Sequence, residues 1–138
     1  MIIGIDVSML VYQGSGVANY TYNLVKSLLT YHKEHEYRLF YSSLRRPQDF
    51  HSLTSLVLLG AKLYSFRLPT RMLRIIWNRW EILPVEYLIG KVDVIFTSDY
   101  LRPPLLQGTR CITTIHDLTW RIYPELHDQG VITDHTRK

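Results

Sequence analysis

Apolar positions along this chain follow two periods. Ile2-Ile3-Gly4-Ile5-Asp6-Val7 is nearly continuous in apolar residues, the pattern of a strand buried on both faces. Gly14 and Gly16 then interrupt the chain. From there the apolar residues fall at Val17, Tyr20, Leu24, Val25, Leu28 and Leu29, which is the spacing of one helix face. Tyr37-Arg38-Leu39-Phe40-Tyr41 predicts a second, aromatic-rich strand. Strand, glycine loop, helix and strand make one βαβ unit, whose crossover is expected to be right-handed.

A less regular section follows, and then Lys62-Leu63-Tyr64-Ser65-Phe66 reads as a strand. Thr70 is placed to cap a helix running to about Ile82, ahead of Pro84. Within it Met72, Leu73, Ile76, Trp77 and Trp80 lie at helical spacing, flanked by Arg71, Arg74 and Arg79. Val92 to Phe96 and Arg110 to Ile115 predict two more strands, separated by a loop that Pro103-Pro104 and Gln107-Gly108 mark. Pro124 opens a further turn or helix. The alternation argues for an α/β fold: a Rossmann-like parallel sheet with flanking helices. There are no internal repeats and no low-complexity linker.

The totals narrow the class. A chain of 138 residues makes one domain at most, and 46% hydrophobic residues suffice for a core. The longest apolar stretches, such as Leu56 to Leu59, are too short to span a bilayer. The first residues carry no basic segment or cleavage site, so they do not read as a signal peptide. Cys111 is the one cysteine, so no internal disulfide forms, and no metal-ligand spacing is present. A reducing cytoplasm is the expected setting. About five strands are assembled by Lys138, so the chain reads as a piece of a longer protein.

The charge distribution says more than the net +4. Between Tyr37 and Trp80 stand Arg38, Arg45, Arg46, Lys62, Arg67, Arg71, Arg74 and Arg79 against Asp49 alone. This is either a solvated face or a surface that meets an anion: lipid headgroups, phosphates or nucleic acid. A peripheral contact at the inner face of a membrane is expected, and nucleic acid is not.

Two stretches offer chemistry. Gly14-Ser15-Gly16-Val17 sits at a strand-to-helix junction, where glycine permits a sharp turn and the free N–H groups of the helix start suit a phosphate. The spacing is neither a dinucleotide fingerprint, since Asn19 stands where a third glycine would be, nor a P-loop. His116-Asp117 follows a strand directly. A histidine there can exchange a proton near neutral pH or hydrogen-bond a sugar hydroxyl, with Asp117 orienting it or capping the next turn. Each stretch also has a purely structural reading: a glycine turn and a satisfied histidine. Ligands in open α/β sheets bind outside the carboxyl ends of the strands, so both stretches are expected to face one pocket.

Taken together, the motifs resemble family 4 (group 1) glycosyltransferases. Gly4-Ile5-Asp6 followed by Gly16-Val17-Ala18-Asn19-Tyr20-Thr21 is similar to their opening, usually Gly-Ile-Asp-Ala, a loop, then Gly-Val-Gly-Arg-Tyr-Thr. Leu68-Pro69-Thr70-Arg71 with Trp77, Val92 to Ser98, Pro103-Pro104, Thr114-Ile115-His116-Asp117-Leu118 and Tyr123-Pro124-Glu125 continue the series in the family's order. The resemblance implies the N-terminal, acceptor-side half of a GT-B architecture over residues 1–138, with the C-terminal donor domain absent. It implies a retaining transferase that moves a sugar from a nucleotide sugar to a glycan or lipid-linked acceptor, without a metal or other cofactor. It assigns Gly14, Ser15, Gly16 and Val17 to the donor phosphates and His116, as the catalytic residue, to the donor sugar. Asn19, Tyr100 and Asp117 fall to the acceptor or sugar side. Ala18 and Asn19 depart from the family's Gly-Arg, which removes the contact an arginine would make, and Thr97 stands where the family usually has His.

Two other classes stay open. One is a binding module that holds a nucleotide or an anionic surface without catalysis. The other is a dinucleotide oxidoreductase, disfavoured by Asn19 and by Tyr41-Ser42-Ser43, where that class carries an acidic residue at the second strand's end.

Overall fold

β1 (Ile2–Asp6) lies at the centre of a five-stranded sheet with β2 (Glu36–Ser42), β3 (Lys62–Phe66), β4 (Val94–Thr97) and β5 (Arg110–Thr113), in the order β3-β2-β1-β4-β5. The computed structural model, which describes residues 1–45, 50–98, 101–127 and 132, shows every strand pair to be parallel. The helices are α1 (Gly16–Tyr31), α2 (His51–Leu58), α3 (Thr70–Leu73), α4 (Glu86–Ile89) and α5 (Thr119–Ile122). Single 3₁₀ turns occupy Ser8–Val11 and Pro124–Leu126. This is the expected Rossmann-like sheet with flanking helices.

Side chains leave β2 alternately for the two faces, as a strand requires. Tyr37, Leu39 and Tyr41 join Ile5, Val7, Val25, Leu29, Leu53 and Leu56 in a core beneath α1 and α2. Phe40 joins Leu73, Trp77, Val85, Ile89 and Ile95 beneath α3 and α4 on the other face. Both faces are therefore covered, which is why β1 and β2 read as near-continuous apolar runs. Gly4 faces the second core with no side chain. A Cβ there would lie 2.7 Å from the Ile95 Cδ1 and 3.0 Å from the Ile89 Cδ1, so glycine leaves the space in which α4 closes on the sheet.

Several boundaries differ from the sequence reading. α2 falls in the section that lacked a clear period: it buries only Leu53 and Leu56, and Phe50 at its N-cap supplies no capping oxygen. Thr70 is not the cap of α3; Pro69 holds that position, and Thr70 opens the helix. The predicted helix over 70–82 is not one continuous α-helix. After Leu73 the chain enters a π-helical stretch, Arg74–Arg79, in which the Trp80 N–H donates to the Ile75 carbonyl five residues back at 3.0 Å. The Ile82 N–H reaches the Ile76 carbonyl at 3.1 Å, and Glu81 and Leu83 take positive φ of 52° and 64° to end the element.

The wider turn changes which face is buried. On a regular α-helix Leu73, Trp77 and Trp80 would share one stripe. Here Leu73, Trp77 and Asn78 are buried while Trp80 is 60% exposed. An extra residue per turn carries the side chains beyond Trp77 away from the sheet.

Candidate functional site

The sheet's carboxyl edge has one place where the chain leaves in opposite directions. From β1 it runs outward through α1 to β2 and β3; it then returns across the other face to β4, on the far side of β1. Such a switch point leaves a crevice between the diverging connections. A cavity of about 430 Å³ occupies it.

Asp6 ends β1 and Ser8 follows it; Ser42 ends β2; Ser98 lies just past β4; all four line the cavity. Ser15 and Val17 bring the start of α1 to it, and Thr70 and Leu73 bring α3. Met9, Tyr12 and Leu101 complete the wall, so no lysine or arginine lines it among the described residues. The polar groups are largely committed. The Asp6 Oδ1 accepts the Ser8 N–H at 2.8 Å, the Ser42 N–H donates to the Ser8 Oγ at 3.0 Å, and the Ser42 hydroxyl donates to the Leu68 carbonyl at 3.0 Å. The Ser98 Oγ differs: Ser98 is 1% exposed, and this oxygen finds no hydrogen-bond partner among the described residues.

The glycine loop divides between two sides. Gly14 turns the chain at φ 83°, a conformation that glycine adopts without cost. Ser15 caps α1, its Oγ accepting the Ala18 N–H at 3.2 Å. The N–H groups at the start of a helix have no intrahelical carbonyl to meet, so the positive end of α1 opens beside the cavity at Val17. Gly14 and Asn19 instead line a shallower depression with Gln13, Tyr22 and His51. The expected donor loop thus reaches the cavity through Ser15 and Val17, while Asn19, placed on the acceptor side from the sequence, lies around the helix from them.

His116 stands next to the cavity wall and is itself exposed. Its Nε2 lies 2.9 Å from the Ser98 carbonyl oxygen, and its ring meets Tyr20 edge-on at 5.2 Å. A carbonyl only accepts, so Nε2 carries a proton, and in the corresponding neutral tautomer Nδ1 is an acceptor. The Tyr20 and Thr114 hydroxyls share a hydrogen bond of 3.2 Å, tying this corner to α1. The orienting partner of His116 is therefore a backbone carbonyl. Asp117 uses its Oδ1 on the Thr119 N–H at 3.0 Å and the Thr119 hydroxyl at 2.7 Å, which holds the first turn of α5. Tyr100 lies outside the described residues, as do Arg46 and Asp49 of the basic section.

Asp6, Ser42 and Ser98 had no role in the sequence reading, although each stands at or just past the carboxyl end of a strand. The rule that drew attention to His116 applies equally to them. Among the described residues no group of three or more His, Cys, Asp or Glu side chains is placed to hold a metal, and no helix is long and apolar enough to cross a membrane. Comparison with protein families, with characterised proteins and with solved structures finds no match to this chain.

Proposed function

We propose that this domain is the acceptor-side half of a retaining glycosyltransferase and that the switch-point cavity takes a sugar ring. The observation that carries the reading is the cavity wall. Among the described residues it combines hydroxyls, one carboxylate and apolar side chains without a basic residue, and one of its residues is the buried Ser98, whose Oγ has no hydrogen-bond partner among them. An orphaned buried hydroxyl costs free energy until something hydrogen-bonds it. A neutral polyol supplies such bonds in number. The motif series of the sequence supports the same class.

In this reading the chemistry follows from charge. Breaking a glycosyl–phosphate bond leaves positive charge on the sugar and negative charge on the phosphate. The N-terminus of α1 supplies N–H groups and a positive dipole to the phosphate side without a metal. His116, held by Ser98, offers Nδ1 to a sugar hydroxyl. The groups that hold the donor nucleotide belong to a second α/β domain, outside these 138 residues, so the chain alone binds without turnover.

The test is a titration of the isotopically labelled chain, followed by NMR, with oligosaccharides, nucleotide sugars and NAD. Saccharide-containing ligands should shift the amides of Asp6, Ser15 and Ser98, and NAD should not. Ser98→Ala should weaken the binding by roughly fivefold, the scale of one hydrogen bond. A cavity that responds to NAD alone, or to no saccharide, sinks the proposal. In the complete enzyme His116→Ala should lower kcat by about 10²-fold, more than it raises KM for the donor; unchanged kinetics would leave His116 a structural residue.

A further inference from the structure

The π-helical stretch has an outward consequence. Met72 and Ile75 are 42% and 43% exposed, and past the wide turn Trp80 and Ile82 are 60% and 52% exposed. Four large apolar side chains thus reach solvent within eleven residues of sequence. Arg67, Arg71 and Arg79 are exposed on the same segment and form no ion pair among the described residues. A fold that buried Trp80 beside Trp77 would take the tryptophan out of this patch. Instead the π-bonded turn and the positive φ at Glu81 and Leu83 hold the chain in a conformation that presents it.

We propose that this segment, from Arg67 to Ile82, is a docking surface for an anionic lipid bilayer. Charge complementarity selects the occupant. Arginine guanidinium groups pair with lipid phosphates, the tryptophan ring suits the headgroup level, and the aliphatic side chains enter just below it. Glu81 is the one acidic residue in the segment. The patch is too short and too interrupted to span, so the contact is in-plane and reversible. Thr70 and Leu73 of the same element line the cavity, so the patch and the cavity share one element. The inference stands apart from the proposed reaction: it needs the patch and not the transfer chemistry.

The experiment is flotation of the full chain with phosphatidylcholine vesicles, with and without phosphatidylglycerol, at low and high salt. Binding should require the anionic lipid and fall by at least tenfold at high salt. Arg71→Glu combined with Arg79→Glu should abolish it, and Ile75→Ser combined with Trp80→Ser should weaken it, with unchanged circular dichroism in both. Bound to vesicles, the wild type should show a blue shift in tryptophan emission that Trp80→Phe removes. No binding to anionic vesicles at low salt overturns the proposal. So does binding that either double variant leaves intact, or a patch-dependent dimer in sedimentation with no vesicle binding.

Discussion

Gly16 raises a question at the scale of one residue, because nothing among the described residues requires glycine there. Its φ lies outside the left-handed region, and a Cβ would meet no atom within 4 Å among the described residues beyond its own helix and chain neighbours. Gly14, by contrast, needs its positive φ. Glycine at a helix start without a steric reason costs chain entropy and leaves open space beside the cavity residues Ser15 and Val17. Gly16→Ala should therefore keep or raise stability by about 0.5–1 kcal/mol in thermal or chemical denaturation. The same variant should weaken the binding of a nucleotide sugar or phosphate at the α1 terminus. Full ligand affinity in Gly16→Ala would mean that the loop does not meet the ligand closely. His116 gives the complementary lesson. The sequence left Asp117 either to orient it or to cap the next turn; the structure ties His116 to the Ser98 carbonyl and Asp117 to Thr119. Neighbours in sequence past a strand end point to different partners, because the chain there is neither strand nor helix and no period governs it.

At the scale of the element, Trp77 and Trp80 separate. Trp77 is fully buried, packs on Phe40 with centroids 5.2 Å apart, and donates its Nε1–H to the Leu83 carbonyl at 3.1 Å. That bond helps to hold the left-handed Leu83. Trp77→Ala should cost about 3–5 kcal/mol through the cavity and the lost bond. Trp80→Ala should stay within about 0.5 kcal/mol, as exposed substitutions do. Denaturant titration of the two variants checks the contrast, and equal losses would show that Trp80 is packed as a regular helix would have it. The helical pattern of apolar residues was legible from 70 to 80. The π turn was not, because a single extra residue per turn shifts the face without changing the composition.

Across the whole molecule, one cluster joins two strands and a helix at the edge opposite the cavity. The Glu36 carboxylate accepts from the Arg38 Nε at 2.7 Å and from Lys62 at 3.0 Å, and the Arg38 Nη1 donates to the Ile89 carbonyl at 2.8 Å. A Cβ on Gly90, at φ 79°, would strike Arg38, so the turn after α4 is fitted to this guanidinium. The hydrogen bond from Arg38, and then that from Lys62, holds the Glu36 carboxyl below the usual carboxylate range. A depressed carboxyl stabilises the fold above its unfolded pKa, and the contribution fades as pH falls through the lower, folded value. The Tm gap between wild type and Glu36→Gln should thus be constant near neutral pH and close on acidification below the ordinary carboxylate range. It should be small and should shrink with salt, since the group is near the surface. A gap that widens on acidification would contradict the sign of the linkage.

What the residues determined alone is the layered plan. Near-continuous apolar runs at Ile2, Tyr37 and Val92 read as strands covered on both faces, and their alternation with helical periods argues that they are parallel. The start of α1 was equally readable, since Ser15 at a glycine turn before a helical stripe is a local signal. α2 was not, because it buries two side chains and lacks a capping oxygen. Nor was the cavity. Asp6, Ser42 and Ser98 meet there because the strand order places β1 between β2 and β4, and strand order is set by how the crossovers pack rather than by any local pattern. The division of the glycine loop, with Ser15 and Val17 at the cavity and Gly14 and Asn19 around the helix, was likewise decided by the packing of α1 on the sheet. Local periodicity specifies which side chains share a face; only the docked elements specify what that face meets.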